Sequence, residues 1–307
     1  MSVAYTVALC THNHADRLER TLADLASLQP PRRRWELLVV DNGCTDATPA
    51  LLQRHRWPDG WTVRVVREEK LGLSNARNRA VADAHGEYLV FMDDDETPDP
   101  DWLCAYERLI DRHAPDAFGG RIRVLFEDER PAWVRDELLG FLGEVNRADE
   151  VVPLTEPDTS FFGGNFGFRR QVCERVGLFD AALGRKGTVN IGGEEVDFYC
   201  RLLEAGLSVW WTPEAVIGHR IQATKLNRRY FYDLHFRMGR VEGGRARNGG
   251  PQLPPRYLFG QLLRATRAAL QQRLREGGDA TVRQEMNVAY FAGKIDGWAL
   301  GRSRAEP

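Results

Sequence analysis

An α/β fold built on a doubly wound, mostly parallel sheet is predicted by two features of the first 125 residues. Short β-rich apolar runs alternate with stretches of helical periodicity, and every unusual polar cluster falls where one of those runs ends. Strands are predicted at 5–11 ("YTVALCT"), 35–41 ("WELLVVD"), 62–66 ("TVRVV"), 87–93 ("EYLVFMD") and 117–125 ("AFGGRIRVL"). Between the first two, Leu18, Leu22, Leu25 and Leu28 recur at spacings of three and four and give one helix an apolar face. "TDATPALLQRH" follows "DNGC" with Thr45 or Asp46 placed to cap a second helix, and "SNARNRAVADAHG" opens on a capping Ser74 and closes on Gly86. Such a unit takes its ligands beyond the carboxyl ends of its strands.

From about residue 126 the alternation stops, and Pro, acids and aromatics mix without a period, as in long loops that shape a pocket. A helix "EVDFYCRLLEAG" and a strand "SVWWT" then return to the core. The stretch 225–300 reads as helices: one is "KLNRRYFYDLHFRMGR", and another carries Leu258, Leu262, Ala269 and Leu274, with 247–255 as a linker between them.

A hydrophobic share of 43% over 307 residues is enough for a large core and excludes disorder as the default. No apolar run approaches the ~20 residues of a membrane span, and the first residues lack a charged leader, so a cytoplasmic protein is expected. The five cysteines lie far apart with no CxxC, which suits small core residues rather than a disulfide framework or a zinc site. The net charge of −2 hides thirteen Lys or Arg between Arg220 and Arg275 against two acids, Asp233 and Glu242. Solvated helix faces account for such a stretch; so does a surface for phosphates or for anionic lipid at the inner face of a membrane. Nucleic acid is disfavoured because the rest of the chain is acidic.

"EYLVFMDDDE" runs from a buried-looking strand into Asp93, Asp94, Asp95 and Glu96. Side-chain alternation sends Asp93 and Asp95 to one face, where their repulsion is on the order of 1–4 kcal/mol. A hard divalent cation, Mg²⁺ or Mn²⁺, offsets it, because such ions take one or two carboxylates together with substrate phosphates. Asp99 and Asp101 suit a helix cap instead. At a neighbouring strand end, Asp41 precedes the Asn42-Gly43 turn; its carboxylate suits either hydrogen bonds from a base or ribose, or an Asx turn. In "KLGLSNARNRA", Arg77 lies in the first turns of a helix whose N-terminus attracts anions.

Taken together, "CTHNHADRLERTL", "VVDNGCTD", "GLSNARN", "FMDDD", "GGNFGFRR" and "GGEEVDFYCRLLEAG" resemble, in order and spacing, the family 2 glycosyltransferases, nucleotide-sugar enzymes of the GT-A fold. The resemblance covers roughly residues 4–240. It implies a nucleotide-sugar-binding half at 1–125, an acceptor-binding and catalytic half at 126–224, and a helical region at 225–307. It also implies that Thr11, Asn13 and Asp41 line a nucleobase pocket, with Asn42 beside them, and that Arg77 lies near that pocket or the diphosphate. Asp93 and Asp95 become the DxD metal ligands, with Asp94 on the donor and His219 near the metal or diphosphate. Gly164 and Asn165, in a segment between donor and acceptor, would meet the sugar, and Arg228 would close over the diphosphate.

Transfer from a nucleoside diphosphate needs a neutralised leaving group and a base for the acceptor hydroxyl. Glu194 and Glu195 sit at a helix start, where acids also serve as caps. Relatives carry Gly-Glu-Asp there, which makes Glu195 the base of an inverting displacement and Glu194 the second candidate. The chain departs from the pattern by having Glu for Asp, and His14 where relatives have Arg, a contact that Arg17 or Arg20 would replace. The expected donor is a UDP- or dTDP-sugar; the acceptor is a glycan, a lipid-linked sugar, a peptide or a small natural product. The competing expectations are a sugar-nucleotide pyrophosphorylase, which opens with a Gly-rich loop absent from "CTHNHADR", and a non-catalytic nucleotide-sugar-binding module.

Overall fold

The computed structural model describes residues 3–161, 163–184, 193–247 and 253–300. The chain divides into two compact units, Met1–Leu125 with Gly143–Arg220, and Phe126–Leu142 with Ile221–Pro307.

The first unit is mixed α/β. In chain order it carries β1 (Tyr5–Thr11), α1 (Ala15–Leu25), β2 (Trp35–Asp41), α2 (Thr48–Arg54), β3 (Val63–Arg67), α3 (Leu73–Asp83), β4 (Tyr88–Asp93), β5 (Glu96–Pro98), α4 (Trp102–His113) and β6 (Ala117–Phe126). It continues through β7 (Val152–Pro153), β8 (Phe166–Arg169), the short α5 (Cys173–Val176), α6 (Glu194–Glu204) and β9 (Val209–Ile221). The sheet order is β3-β2-β1-β4-β8-β6-β9-β5, with β7 on β9. β3, β2, β1 and β4 are parallel, the pairing that the alternation of strands and helices in the sequence predicts. β8 enters antiparallel between β4 and β6.

The parallel strands form because their apolar runs are buried on both faces. Val7, Leu9, Leu37, Val39, Val90 and Met92 face one way, toward Leu18, Leu22, Trp102 and Tyr106. Ala8, Leu38, Val40, Leu89 and Phe91 face the other, toward Ala76, Ala80 and Phe198. Each large apolar side chain so buried contributes about 1.5–3 kcal/mol. That rigid base holds the charged strand ends in place.

Several local expectations are corrected. The segment "GGNFGFRR" supplies strand β8 in mid-sheet, where Phe166 stacks on Phe91 at 5.0 Å and any side chain at Gly167 would strike the Phe118 ring. The "SVWWT" strand extends to 13 residues as β9. Ser74 does not cap α3; the cap is Gly72, at φ 128°, while the Ser74 hydroxyl donates to the Leu183 carbonyl at 2.8 Å. Asp101 stands at the N-cap of α4 without capping it, because its carboxylate is drawn to Arg108 at 2.7 Å.

The second unit contains the helices α7 (Arg228–Ala246), α8 (Arg256–Glu276) and α9 (Val282–Leu300), and a 3-10 turn at Asp136–Leu142. Residues 248–252 of the expected linker lie outside the described residues. α7 and α9 meet backbone to backbone: a Cβ on Gly239, Gly243, Gly293 or Gly297 would lie 2.0, 2.1, 2.0 or 1.9 Å from a facing carbonyl oxygen. Leu274, expected on a packed face, is 87% exposed. Among the described residues no helix is long and apolar enough to cross a membrane.

Candidate active site

Parallel register brings three strand ends side by side. Thr11 of β1 stands next to Asp41 of β2, and Cys10 next to Asp93 of β4. This is the carboxyl edge of the parallel half.

At the β2 end, Asp41 is buried and divided between two partners: one oxygen accepts from the Cys44 amide at 2.8 Å, the other pairs with Arg67 at 3.0 Å. Asp41 thus bonds the backbone of its own turn, three residues on rather than the two of the Asx turn weighed from sequence. Asn13 adopts φ 55°, and its side-chain oxygen Oδ1 accepts from the amides of Thr45 at 2.7 Å and Asp46 at 3.2 Å. Asn42 requires correction as a donor contact. Its buried amide donates to the Glu68 and Lys70 carbonyls and accepts from the Gly72 amide, so it ties two loops together.

At the β4 end the strand stops at Asp93 and the chain turns. Asp94 folds inward, buried, accepting from the Thr11 hydroxyl at 2.6 Å and facing His14 Nδ1 at 3.1 Å from each oxygen. That bond raises the His14 pKa against the opposing effect of burial. Asp95 lies 3.7 Å from Arg17 and 3.7 Å from His219, and Asp93 lies 3.8 Å from Arg77. Beneath them Glu96 is buried and accepts from the Asp93 amide at 2.9 Å. Its pKa is pushed well up, first by burial and then by the charges of Asp93 and Asp95. A Cβ on Gly164 would fall 1.8 Å from a Glu96 oxygen, so the space beside this glycine belongs to Glu96 rather than to a sugar.

Arg77 lies at the centre of the site. It is 1% exposed, with Phe166, Phe179 and Phe91 ring centres 5.5, 5.7 and 5.9 Å from its guanidinium. It pairs with Glu194 at 2.8 Å and donates to the Gly163 carbonyl at 2.9 Å. The rest of its motif holds the segment around 179–184: Asn78 exchanges two 2.9 Å bonds with Phe179, and Ser74 binds Leu183. Burial alone would lower the Arg77 pKa; Glu194, Asp93 and Glu195 more than reverse that.

Glu194 and Glu195 open α6 after Gly193, at φ 111°, while the run 185–192 before it lies outside the described residues. One oxygen of each carboxyl, Oε2 in both, is buried with no hydrogen-bond partner among the described residues. The Glu195 pKa is raised by burial and then by the Glu194 charge, with Arg77 opposing. Asp197 and Arg201 form the expected i,i+4 pair at 2.8 Å.

The structure thus joins Thr11, Asp94, Asp93, Asp95, Arg17, His219, Arg77 and Glu194 through successive contacts, with Glu195 adjacent in the chain. Asn165 is not part of this set. It is fully buried, with its oxygen taking Trp102 Nε1 at 2.8 Å and the Tyr106 hydroxyl, and its nitrogen giving to the carbonyls of Arg121 and Ala215 at 2.9 Å each. No hydrogen-bonding capacity is left for a sugar. Arg228 belongs to the second unit, where it pairs with Asp279 and lies over Trp133. Sequence reasoning missed Glu96 and Gly163 as members of the site; Glu96 was visible only as the fourth acid of its run.

The oxygen donors of Asp93 and Asp95 suit a hard divalent cation. Both carboxylates raise the pKa of Glu96 beneath them, after the larger effect of its burial, and a cation bound to them would relieve that repulsion. Among the described residues no three His, Cys, Asp or Glu side chains form a ready-made cage. An ion held here would complete its shell with water and substrate phosphates, as magnesium does.

Residues 6–177 match the family model for glycosyl transferase family 2. The chain is a family 2 glycosyltransferase. It is 26% identical over 239 residues to the succinoglycan biosynthesis protein ExoM of Rhizobium meliloti, covering 77% of this chain and 73% of that protein. It is 25% identical over 215 residues to glycosyltransferase AglE of Haloferax volcanii, covering 70% of this chain and 66% of that protein. Among solved structures, the mannosyltransferase PcManGT from Pyrobaculum calidifontis, in complex with GDP-Man and Mn²⁺, superposes with a TM-score of 0.63 at 20% identity over 97% of this chain and 87% of that one. TarS 1-349 of S. aureus, in complex with UDP-GlcNAc, gives 0.53 at 15% identity over 95% and 90%. These likenesses assign the GT-A fold to the transferase.

Proposed function

We propose that this glycosyltransferase moves a sugar, with inversion, from a nucleoside-diphosphate sugar to an acceptor hydroxyl, and that Glu195 is the base. The observation that carries the reading is the Glu194–Glu195 pair. Two adjacent carboxyls meet different fates: Glu194 is buried and held by Arg77 at 2.8 Å, while Glu195 is half-buried and has its pKa raised by burial and by the Glu194 charge. Environments that separate two titratable groups mark the one that moves a proton. A lone base facing a bound hydroxyl suits a single displacement, which inverts the anomeric carbon.

Asp93 and Asp95, with His219 beside Asp95, would hold Mg²⁺ or Mn²⁺. Such an ion supplies electrostatic stabilisation of the leaving diphosphate. Thr11 keeps Asp94 turned inward, so that its neighbours face the cleft, and Arg17 steadies Asp95. Asn13 and Asp41 shape the loop at the nucleobase end through their backbone bonds. TarS binds UDP-GlcNAc and PcManGT binds GDP-Man with Mn²⁺, which supports a nucleotide sugar as donor here. The uridine- or thymidine-linked donor expected from sequence is retained, and a glycan hydroxyl as acceptor draws support from ExoM, named for succinoglycan biosynthesis.

The test is a panel of UDP-, dTDP- and GDP-sugars incubated with and without Mn²⁺, followed by NMR of the product anomer. Release of the nucleoside diphosphate with an inverted product is expected only with the metal. Turnover unaffected by EDTA would remove the cation from the reading; a retained anomer would remove the single displacement.

A further inference from the structure

We propose that α8 docks on an anionic lipid surface through Phe259, Leu263, Leu270 and Leu274. These four side chains are 51, 52, 57 and 87% exposed, although the helix also has a packed face made by Leu258, Ala265 and Ala269. At about 100° per residue, Leu270, Leu263 and Leu274 fall about 20, 40 and 60° round the helix from Phe259, which puts all four on one stripe. The packed residues lie on a different side. The helix is thus apolar twice over, and only one of its apolar faces is used inside the unit.

Charge decides the occupant. α8 carries five arginines and a single acid, its last residue Glu276. Arg256 and Arg267 border the stripe and Arg264 and Arg275 lie beyond them on the same side; all four are exposed and make no ion pair among the described residues. On α7 and α9, Arg228, Arg240 and Lys294 are paired with Asp279, Asp296 and Glu242, although Arg237 and Arg245 of α7 are exposed like the arginines of α8. An apolar stripe bordered on one side by unpaired arginines is the pattern of a helix lying in a lipid interface, with guanidinium groups reaching up to phosphate headgroups. A second copy of the same helix would set like charges against one another. An anionic membrane neutralises them. The inference does not depend on the base or the metal assigned above.

The experiment is co-sedimentation of the full-length protein with vesicles of phosphatidylcholine mixed with phosphatidylglycerol, and with vesicles of phosphatidylcholine alone. Binding is expected only to the mixed vesicles and is expected to weaken as salt is raised. The exposed double substitution Leu263→Ser/Leu270→Ser should keep the thermal midpoint and lower the vesicle partition coefficient by about tenfold or more, because affinity scales with buried apolar area. Arg264→Glu/Arg267→Glu should lower it as well. No binding to mixed vesicles, equal binding to neutral ones, or wild-type binding by either variant would overturn the proposal. A drop in oligomeric mass on Leu263→Ser/Leu270→Ser, without vesicle binding by the parent, would overturn it too and give the face to a second copy.

Discussion

At the end of β4, the part-exposed Asp93 lies 3.8 Å from Arg77 and Asp95 lies 3.7 Å from Arg17 and from His219, whereas at the start of α6 Glu194 meets Arg77 at 2.8 Å with both groups buried. Beneath the first cluster the pKa of Glu96 is raised, first by its burial and then by the charges of Asp93 and Asp95. The second is balanced at one carboxyl and leaves the next one, Glu195, hard to ionise. Arg77 touches both clusters. The β4 cluster crowds acids at a strand end, whereas in the α6 pair one carboxyl meets a buried arginine and the next has its pKa raised by burial and by its neighbour.

The strongest way to break this comparison is to remove the arginine. Arg77→Met leaves Glu194 buried and unpaired, which should cost about 3–5 kcal/mol in urea unfolding. Arg77→Met/Glu194→Leu should recover most of that loss, because an apolar pair of similar volume replaces a buried ion pair at little net cost. A single substitution costing under about 1 kcal/mol would show that the pair is solvated like a surface bridge. Glu195→Gln comes next. Loss of a general base should lower kcat about 10²–10⁴-fold while nucleotide affinity holds. Near-parental turnover would take the base role from Glu195.

Asp95→Asn probes the other cluster, with a smaller effect. Calorimetry of nucleoside diphosphate binding should show at least about tenfold weaker affinity in the presence of Mn²⁺, close to 1.4 kcal/mol, and little change without it. An equal loss in both conditions would assign Asp95 to shaping the cleft instead of holding charge.

The two clusters were not equally legible in the sequence. Thr11, Asp41 and the acids after Phe91 could be placed because an apolar strand and its end are local signals, and parallel pairing then sets such ends side by side. Arg77 could not be read as buried. Its helix has apolar neighbours on no clear face, and Glu194 and Gly163 lie 117 and 86 residues away along the chain. Asn165 misled for the same reason: a Gly-Gly-Asn run looks like a turn, yet its four partners come from α4, β6 and β9, which meet only in the folded sheet. Gly164 reads as backbone freedom, whereas its function is to leave room for Glu96. In the helical unit the paired spacing of Gly239, Gly243, Gly293 and Gly297 was present to be seen, but only the fold shows that the two helices face one another.

The smallest expected effect is also the one that separates Glu194 from Glu195. The folded pKa of Glu195 is raised above its ordinary value of 4.5 by burial and by the Glu194 charge. A carboxyl raised in this way binds its proton more tightly folded than unfolded, so its contribution favours folding at low pH and is lost as pH rises from the ordinary value through the folded one. Catalysis runs the other way, because a base must be ionised, and kcat should rise with pH through that same raised value. Glu194→Gln removes the neighbouring charge and frees Arg77 to favour the Glu195 carboxylate. The acid limb of the kcat profile should therefore move to lower pH, with turnover at high pH little altered. A limb that stays in place would mean that Glu194 only anchors Arg77; a limb that disappears would make Glu194 the group that titrates.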